Sequence, residues 1–310
     1  MHLRRRRVLA AAATTGALAG CMDGQFADEG GTPTPRQAST VGCPPYERDD
    51  VERVICSSDH PDDALVFRPE TDRVELPRAE LVCRFENDRE EPFSTNFYDT
   101  TLHGYDGEEW WFLGPYVVPQ PLHRLSAGET HVRRLLVDNT DLRRVRPPSP
   151  DGGDDEWTTG RHGLGPGTYA LAIESESEGM STRYAAAFTL RGDSPSLVAP
   201  ETVTGTERDG DRRTVRVEPM LNPDVDRYTL VVRRRADPPR SPEPLVDEQL
   251  YHPTFVGLRA ALAHVETDVT TVEVRGDDSQ FTRNLTGGRG PDFIEYNGAT
   301  FELRVDTYDG

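Results

Sequence analysis

Four aromatic side chains near residue 110 are the best suited to bind a ligand. They are Trp110, Trp111, Phe112 and Tyr116. Neighbouring residues on a β-strand point to opposite faces, so we expect one tryptophan in a core and the other on the surface. An exposed tryptophan beside Phe112 and Tyr116 could stack on a sugar or anchor a protein partner. The alternative is that a loop covers it.

Histidine could transfer protons or bind a metal, but the spacing favours neither. Zinc needs three or four convergent ligands, and no H-x-H or H-E-x-x-H pattern occurs. A deep pocket lined by several of His103, His123, His131 and His162 would favour an enzyme. We predict no metal and no cofactor. The histidines after His2 are His60, His103, His123, His131, His162, His252 and His264.

Other short motifs for chemistry are weak or missing. There is no G-x-S-x-G, and the glycine-rich segment 287–290 lacks the lysine and helix of a phosphate loop. The acidic run 154–156 only loosely resembles a calcium loop, and the chain has 54 acidic residues to form such runs. Asn284 begins an N-glycosylation triplet. We therefore predict no catalytic residues and one candidate glycosylation site.

The first 20 residues have the layout of a secretory signal peptide. Arg4 to Arg7 precede an apolar run that ends at Gly20, too short for a membrane span of roughly 20 residues. The arginines followed by Val8-Leu9 resemble the twin-arginine export signal. Residues 18–21 (Leu-Ala-Gly-Cys) resemble the lipobox of exported lipoproteins, which implies cleavage before Cys21 and lipidation of its sulfur. The alternative is an ordinary signal peptide with a chance cysteine.

The amino-acid composition indicates that the protein works in concentrated salt. Acidic residues outnumber basic ones by 54 to 35, every basic residue is arginine, and the net charge is −19. Such a charge keeps a protein soluble in molar salt, which screens the repulsion that it would cause at low salt. Together with the export signals, this resembles a haloarchaeal lipoprotein held on the outer face of the cytoplasmic membrane. The acidic balance argues against nucleic acid as a partner.

Cysteine use agrees with export. If Cys21 is lipidated, three cysteines remain and at most one disulfide can form within the chain. Cys43 and Cys56 lie in a turn-rich stretch, and we predict a disulfide between them. Cys83 shares a predicted strand face with Leu81 and Phe85, so we expect a small buried side chain.

The remaining sequence divides into three segments. Residues 21–42 are rich in Gly, Thr, Pro and acid, a composition typical of a flexible tether. Residues 43–193 alternate apolar and polar residues in short runs with Gly and Pro between them, which predicts a β-sandwich with a long surface loop at 146–163. Residues 194–310 contain a helical pattern at 253–266 and a hairpin around Asn297-Gly298. We predict a small α+β domain there, with one helix on an antiparallel sheet.

Turn motifs in a set order add a resemblance. The chain has an asparagine at position 87, then D-G-E-E-W at 106–110, L-S-A-G-E-T at 125–130 and L-G-P-G-T-Y at 164–169. In this order they resemble the bacterial immunoglobulin-like domain of envelope lipoproteins, over residues 62–193. The resemblance implies a fold and brings no catalytic residues. The ending F-I-E-Y-N-G-A-T-F-E-L-R-V is weakly similar to an α+β module of uncharacterised haloarchaeal proteins.

Three functional hypotheses follow. The first is a non-enzymatic cell-surface lipoprotein that presents a binding surface to a protein or glycan. The alternative is a surface hydrolase with its site between the two domains, where clefts commonly form. A third, a substrate-capture lipoprotein for a transporter, is disfavoured because such proteins usually have two larger α/β lobes.

Overall fold

The computed structural model describes residue 43 and residues 53–57, 64–116, 119, 121–147, 158–177, 180–218, 228–239, 241–277 and 292–307. The predicted signal peptide, Cys21, the tether and Asn284 lie outside these residues. Residues 40–310 belong to one compact unit, and the predicted boundary after residue 193 falls in the segment between the twelfth and thirteenth strands. No helix within the described ranges is long and apolar enough to cross a membrane.

Alternating apolar residues build the first part of the chain almost wholly from strands. Twelve occur in its described residues: β1 (Arg53–Cys56), β2 (Leu65–Pro69), β3 (Arg73–Glu75), β4 (Arg78–Asn87), β5 (Phe93–Thr95), β6 (Thr100–Tyr105), β7 (Trp110–Gly114), β8 (His123–Leu125), β9 (Thr130–Asp138), β10 (Thr158–Arg161), β11 (Gly167–Ser177) and β12 (Met180–Arg191).

These strands form a sandwich of two main sheets. One sheet has the order β1-β12-β11-β6-β7, with β3 also paired to β12, and the other has the order β10-β9-β4-β2. β5 and β8 form a separate pair. Most pairs are antiparallel, while β1, β3 and β10 each run parallel to a neighbour. β7 is the last strand in the order of its sheet.

The sandwich core follows the predicted strand faces. Leu81, Cys83 and Phe85 of β4 are buried, as expected from their spacing. Phe85 lies at the centre, with its ring centroid 5.0 Å from that of Phe93 and 5.1 Å from that of Tyr184. Such aromatic pairs add to the free energy gained from apolar burial.

Asn87 ends β4 and fixes the turn before β9. Its side chain is fully buried, and its Nδ2 donates hydrogen bonds to the carbonyls of Glu91, Leu125 and Ser126 at 3.0 to 3.1 Å. The carbonyl of Asn87 also accepts from the backbone N–H of Gly128. A buried amide with its hydrogen bonds made holds its neighbours in place, so the turn motif at 125–130 is tied to the end of β4.

The predicted surface loop at 146–163 is wrong at its C-terminal end. Thr158–Arg161 forms β10, which pairs with Arg134–Val137 of β9. Arg161 and His162 are buried. The short strand was not predicted because the earlier part of the segment is rich in Pro, Gly and Asp, which are typical of loops.

The second part of the chain forms one larger sheet. Its strands are β13 (Val203–Asp209), β14 (Arg212–Val217), β15 (Tyr228–Arg235), β16 (Glu243–Pro244), β17 (Thr271–Asp277), β18 (Asp292–Tyr296) and β19 (Ala299–Thr307). Their order is β13-β14-β17-β15-β19-β18-β16. The sheet is mainly antiparallel, as expected, but β14 runs parallel to β17 and β16 parallel to β18. The β18–β19 turn at Asn297-Gly298 has positive φ at both residues, which confirms the predicted hairpin.

The predicted helix over 253–266 is shorter than its apolar pattern. A short helix α1 (Asp247–Leu250) comes first, a 3₁₀ turn covers Pro253–Phe255, and helix α2 covers Val256–Leu262. After Leu262 the backbone hydrogen bonds of His264 and Val265 reach back three residues rather than four. The helix therefore tightens and ends. Leu258 and Leu262 pack with residues of β14, β15 and β17 in a second, largely aliphatic core.

Candidate functional site

The two tryptophans of β7 face opposite ways, as strand geometry requires. Trp111 is buried in the sandwich core, and its Nε1 donates a hydrogen bond to Asp106 Oδ2 at 2.6 Å. Trp110 lies on the other face of β7 and is half-buried. Its ring centroid is 5.1 Å from that of Tyr105 on β6. One tryptophan therefore fills the core and the other remains partly accessible.

Phe112 and Tyr116 lie where the first part of the chain meets the second. The Tyr116 ring packs against Phe112 at 5.3 Å, His252 at 4.7 Å and Phe255 at 5.4 Å between ring centroids. Gln249 of α1 donates a hydrogen bond to the carbonyl of Phe112 at 3.0 Å. The four predicted aromatic residues are thus divided among the core, this contact and the outer face that carries Trp110.

Two glycines with positive φ make that contact close. Gly114 (φ 119°) ends β7, and a Cβ there would lie 2.9 Å from Nη2 of Arg161. Gly163 (φ 76°) lies under the ring of Tyr251, and a Cβ there would overlap the ring. Only glycine combines this backbone conformation with such close approach at little cost.

Two arginines and two histidines meet at the contact, and we refer to Arg161, His162, His252 and Arg259 as the cationic cluster. Arg161 is 9% exposed, His162 4% and Arg259 1%, while His252 is half-buried. Arg161 ends β10 and His162 follows it. His252 precedes the 3₁₀ turn, and Arg259 lies in the middle of α2. Charged groups are rarely buried to this extent without a partner.

Arg259 is stabilised mainly by neutral groups. Its Nη2 donates to the carbonyls of Arg143 and Arg144 at 3.4 and 3.1 Å, and its guanidinium lies 5.0 Å from the ring centroid of Tyr251. Its Nε has no partner among the described residues. Burial lowers the pKa of Arg259 to about 10, which Tyr251 and Glu201 oppose.

The buried charge of Arg161 has fewer stabilising partners than that of Arg259. Its Nε has no hydrogen-bond partner in the described ranges. Burial lowers the pKa of Arg161 to about 10, and Tyr116 would oppose this shift through its charge only if its hydroxyl were ionised. Burial in turn raises the pKa of Tyr116 well above its ordinary range, so this hydroxyl stays neutral. Arg161 is therefore a buried cation beside a neutral phenol.

The two histidines of the cluster are held in the neutral form. Burial, then the charge of Arg259, lowers the pKa of His162 to about 4, although the backbone of Arg144 acts in the opposite direction. Burial, then Arg161, lowers the pKa of His252 to about 3. His252 Nδ1 accepts a hydrogen bond from the Thr254 N–H at 3.2 Å and so caps the 3₁₀ turn. Neither ring nitrogen of His162 has a well-aligned partner in the described residues.

The cluster borders a cavity of about 10 Å³, which is lined by Leu113, Pro147, Arg161, His162, Leu164, Glu248, Tyr251, His252 and Pro253. This volume is close to the least that holds one water molecule. Burial raises the pKa of Glu248, and Tyr169 Oη donates to Glu248 Oε1 at 3.4 Å and to the carbonyl of Gly165 at 2.7 Å. The cavity is thus small and mainly apolar apart from the cluster itself.

The other predicted histidines lie elsewhere. His131 stacks on Phe97 with 3.8 Å between ring centroids, His123 is near Tyr98 at 5.4 Å, and His103 meets Phe112 at 5.6 Å. Of the four histidines that would have favoured an enzyme, His162 lines the cavity beside the cluster, and His103, His123 and His131 are not among the residues that line it. Within the part of the chain that the structure describes, no group of three or more His, Cys, Asp or Glu is placed to hold a metal.

The cysteines occupy two different settings. Cys43 and Cys56 form a disulfide with 5.7 Å between their Cα atoms, which ties residue 43 to the end of β1. Cys83 is free and buried, and burial raises the pKa of its thiol to about 12. That confirms its expected role as a small core residue rather than a reactive thiol.

The cationic cluster was missed in the sequence, although one of its residues leaves a signal there. Val256–Leu262 reads V-G-L-R-A-A-L, a helix that is apolar all round except for Arg259. A helix with that pattern is buried on every side, so its arginine is buried as well. Arg161 and His162 give no comparable signal, because they follow a stretch of sequence rich in turn-forming residue types.

Comparisons with known proteins place this chain in no family. No protein-family model matches it, and no curated protein matches it. Among solved structures, a β-glucosidase from Erythrobacter marinus aligns over 41% of this chain with 14% identity and a TM-score of 0.21. An exo-β-N-acetylglucosaminidase from Vibrio harveyi aligns over 79% with 9% identity and a TM-score of 0.16. The alignments span 15% and 40% of those proteins, and likenesses this distant carry no inference.

Proposed function

We propose that this protein is a non-enzymatic, lipid-anchored surface protein whose folded part binds a protein or glycan through the face that carries Trp110. The N-terminal sequence supplies the export signal and the lipidation site at Cys21. The acidic composition fits an exterior of high salt. The aromatic residues on the outer face of β6 and β7 supply the binding surface.

The observation that carries this proposal is the pairing of Tyr105 with Trp110. The two rings lie 5.1 Å apart with 40° between their planes, and both are half-buried. They flank the β6–β7 turn, which Asp106 fixes by accepting from the N–H groups of Glu108 and Glu109 at 2.8 Å. Rigid aromatic side chains lose little conformational entropy on binding, which is why tyrosine and tryptophan are common at binding hot spots.

The cavity volume also supports binding over catalysis at the contact between the two parts. Sites for small molecules usually enclose about 300 to 1,000 Å³, whereas the cavity beside the cationic cluster encloses about 10 Å³. A substrate would have to separate α1 from β7 and break the hydrogen bond from Gln249 to Phe112. We therefore place the binding surface at Trp110 and not at the cluster.

Crosslinking on intact cells in native salt tests the binding surface. Cells that express the wild type, Trp110→Ala or Leu122→Ala are treated with a crosslinker, and the protein is recovered and its neighbours identified by mass spectrometry. Leu122 is the control, because it is 74% exposed and lies outside the β6–β7 hairpin. We expect a reproducible neighbour that disappears with Trp110→Ala and persists with Leu122→Ala. An unchanged set of neighbours in all three would refute the proposed surface.

Cell fractionation tests the anchor separately. Cys21→Ser removes the sulfur that would carry the lipid, so the processed protein should appear in the medium. Wild-type protein should remain with the membranes. Retention of the Cys21→Ser protein on membranes would show that something other than this lipid holds it, and would leave the binding surface untouched.

A further inference from the structure

The cationic cluster lacks a negative charge that matches its positive ones. Arg161 is more than nine-tenths buried, and no carboxylate of the described residues forms a salt bridge with it. The described arginine salt bridges of this protein lie elsewhere, for example Arg84 with Glu70 and Arg183 with Glu174. A buried charge without a counter-charge costs several kcal/mol. Burial of the unpaired charge of Arg161 therefore destabilises the fold, whereas the other two arginines are paired with carboxylates.

We propose that the cationic cluster is a binding site for a single halide ion, held between Arg161 and His162. This inference is independent of the proposed partner surface at Trp110. Both residues line the cavity, Nε of Arg161 has no partner in the described part of the chain, and the ring nitrogens of His162 have no well-aligned partner there. A guanidinium has only donors, and a neutral imidazole can donate from one nitrogen. These groups suit an anion and not a metal cation.

The size of the cavity selects the kind of anion. A volume of about 10 Å³ accepts one species near the size of a water molecule. A carboxylate or phosphate has several heavy atoms and does not fit beside Leu113, Leu164 and Pro253. A halide is a single atom that accepts hydrogen bonds from any direction, so the donors around it need no particular arrangement.

Glu248 lines the same cavity and would oppose an anion if it were ionised. Its carboxyl is directed towards the Tyr169 hydroxyl and the backbone of Gly165. Burial also raises the pKa of this carboxyl. Tyr251 and His252 complete the polar lining, and both are neutral near pH 7 because burial raises the pKa of the first and lowers that of the second. The cation in the cavity lining is thus Arg161, and Arg259 packs on the ring of Tyr251.

Anomalous diffraction from crystals grown in sodium bromide tests the site in the wild type. Bromide substitutes for chloride and scatters anomalously. We expect a strong peak in the cavity, in contact with the Arg161 guanidinium and the His162 ring. A map with bromide peaks on the surface and only a water molecule in this cavity would overturn the proposal.

Thermal unfolding tests the same site in solution. Chloride is increased at constant ionic strength by replacing sodium gluconate with sodium chloride, for the wild type, Arg161→Met and Arg84→Met. For a bound ligand in excess of its dissociation constant, we expect the wild-type midpoint to rise by about 2 to 4 °C for each tenfold increase in chloride. The surface variant Arg84→Met should show the same rise, and Arg161→Met should lose it.

Two results in solution would count against the site. An equal chloride dependence in the wild type and in Arg161→Met would show that the effect is one of salt in general. No chloride dependence in any of the three proteins would show that nothing binds. If Arg161→Met does not fold, the bromide peak in the wild type decides the question.

Discussion

The sandwich core and the contact that contains the cationic cluster are both buried, but they contain different kinds of side chain. The core packs the rings of Phe67, Phe85, Phe93 and Tyr184 against one another. The contact packs two arginines and two histidines against tyrosines. Apolar burial stabilises the first region, whereas desolvation of charge opposes the second. The difference indicates that the core serves stability and that the cluster is kept for another reason.

The largest expected difference in the free energy of unfolding is between a substitution in the sandwich core and one in the cluster. Phe85→Ala should lower the free energy of unfolding by about 3 to 5 kcal/mol, because it leaves a cavity among stacked rings. Arg161→Met, measured without halide, should leave that free energy unchanged or raise it, because an apolar side chain replaces an unmatched charge. Denaturant unfolding of both variants in sodium gluconate measures the two effects. An equal loss of unfolding free energy in both variants would contradict the proposed difference between the core and the cluster.

Acid should weaken the contact and not the aromatic core. The folded-state pKa of His162 is about 4 and that of His252 about 3, against about 6.5 in the unfolded chain. Between pH 6.5 and 4 the unfolded chain therefore binds more protons, so stability falls as the pH falls through this range. From His162 alone we expect a loss on the order of 3 kcal/mol between pH 7 and pH 4. His162→Phe should reduce the slope in denaturant titrations at several pH values, and an unchanged slope would contradict the assignment.

Replacing glycine by alanine should destabilise the protein more at the contact than at an ordinary turn. Gly163→Ala places a Cβ against the Tyr251 ring at a positive φ, which should cost about 2 to 3 kcal/mol through overpacking and backbone strain. Gly107→Ala is the matched control, because Gly107 also has positive φ but has open space around its Cα. It should cost about 1 kcal/mol, the strain alone. Equal losses would mean that the close approach of Tyr251 is unimportant.

The smallest effect is expected at the surface. Arg84 pairs with Glu70, and both side chains are more than 40% exposed. Arg84→Met should change the free energy of unfolding by less than about 1 kcal/mol, because water and salt screen such pairs. The substitution is the same as Arg161→Met, so it shows what loss of an arginine does outside the cluster. A large loss here would mean that arginine removal is harmful at any position.

The sequence predicts the fold more fully than the cluster, for a physical reason. The faces of β4 and the turn at Asn297-Gly298 depend on residues that are neighbours in the chain, so local patterns predict them. Arg161 and Tyr116 are brought together only when β10 pairs with β9 and α1 packs beside β7. Nothing within a few residues of Arg161 shows that pairing. The parallel pairs β14–β17 and β16–β18 are equally non-local, and they were missed for the same reason.

The ring pKa values of His162 and His252 test the account most directly. NMR of ring-¹⁵N-labelled histidine in the wild type, from pH 7 to pH 3, follows each imidazole, and His162→Phe assigns one signal. The account predicts that both rings remain neutral down to pH 5, because burial and the charges of the neighbouring arginines oppose a further positive charge. Titration of both rings near pH 6.5 would show that water reaches the cluster, and would contradict a buried cationic site.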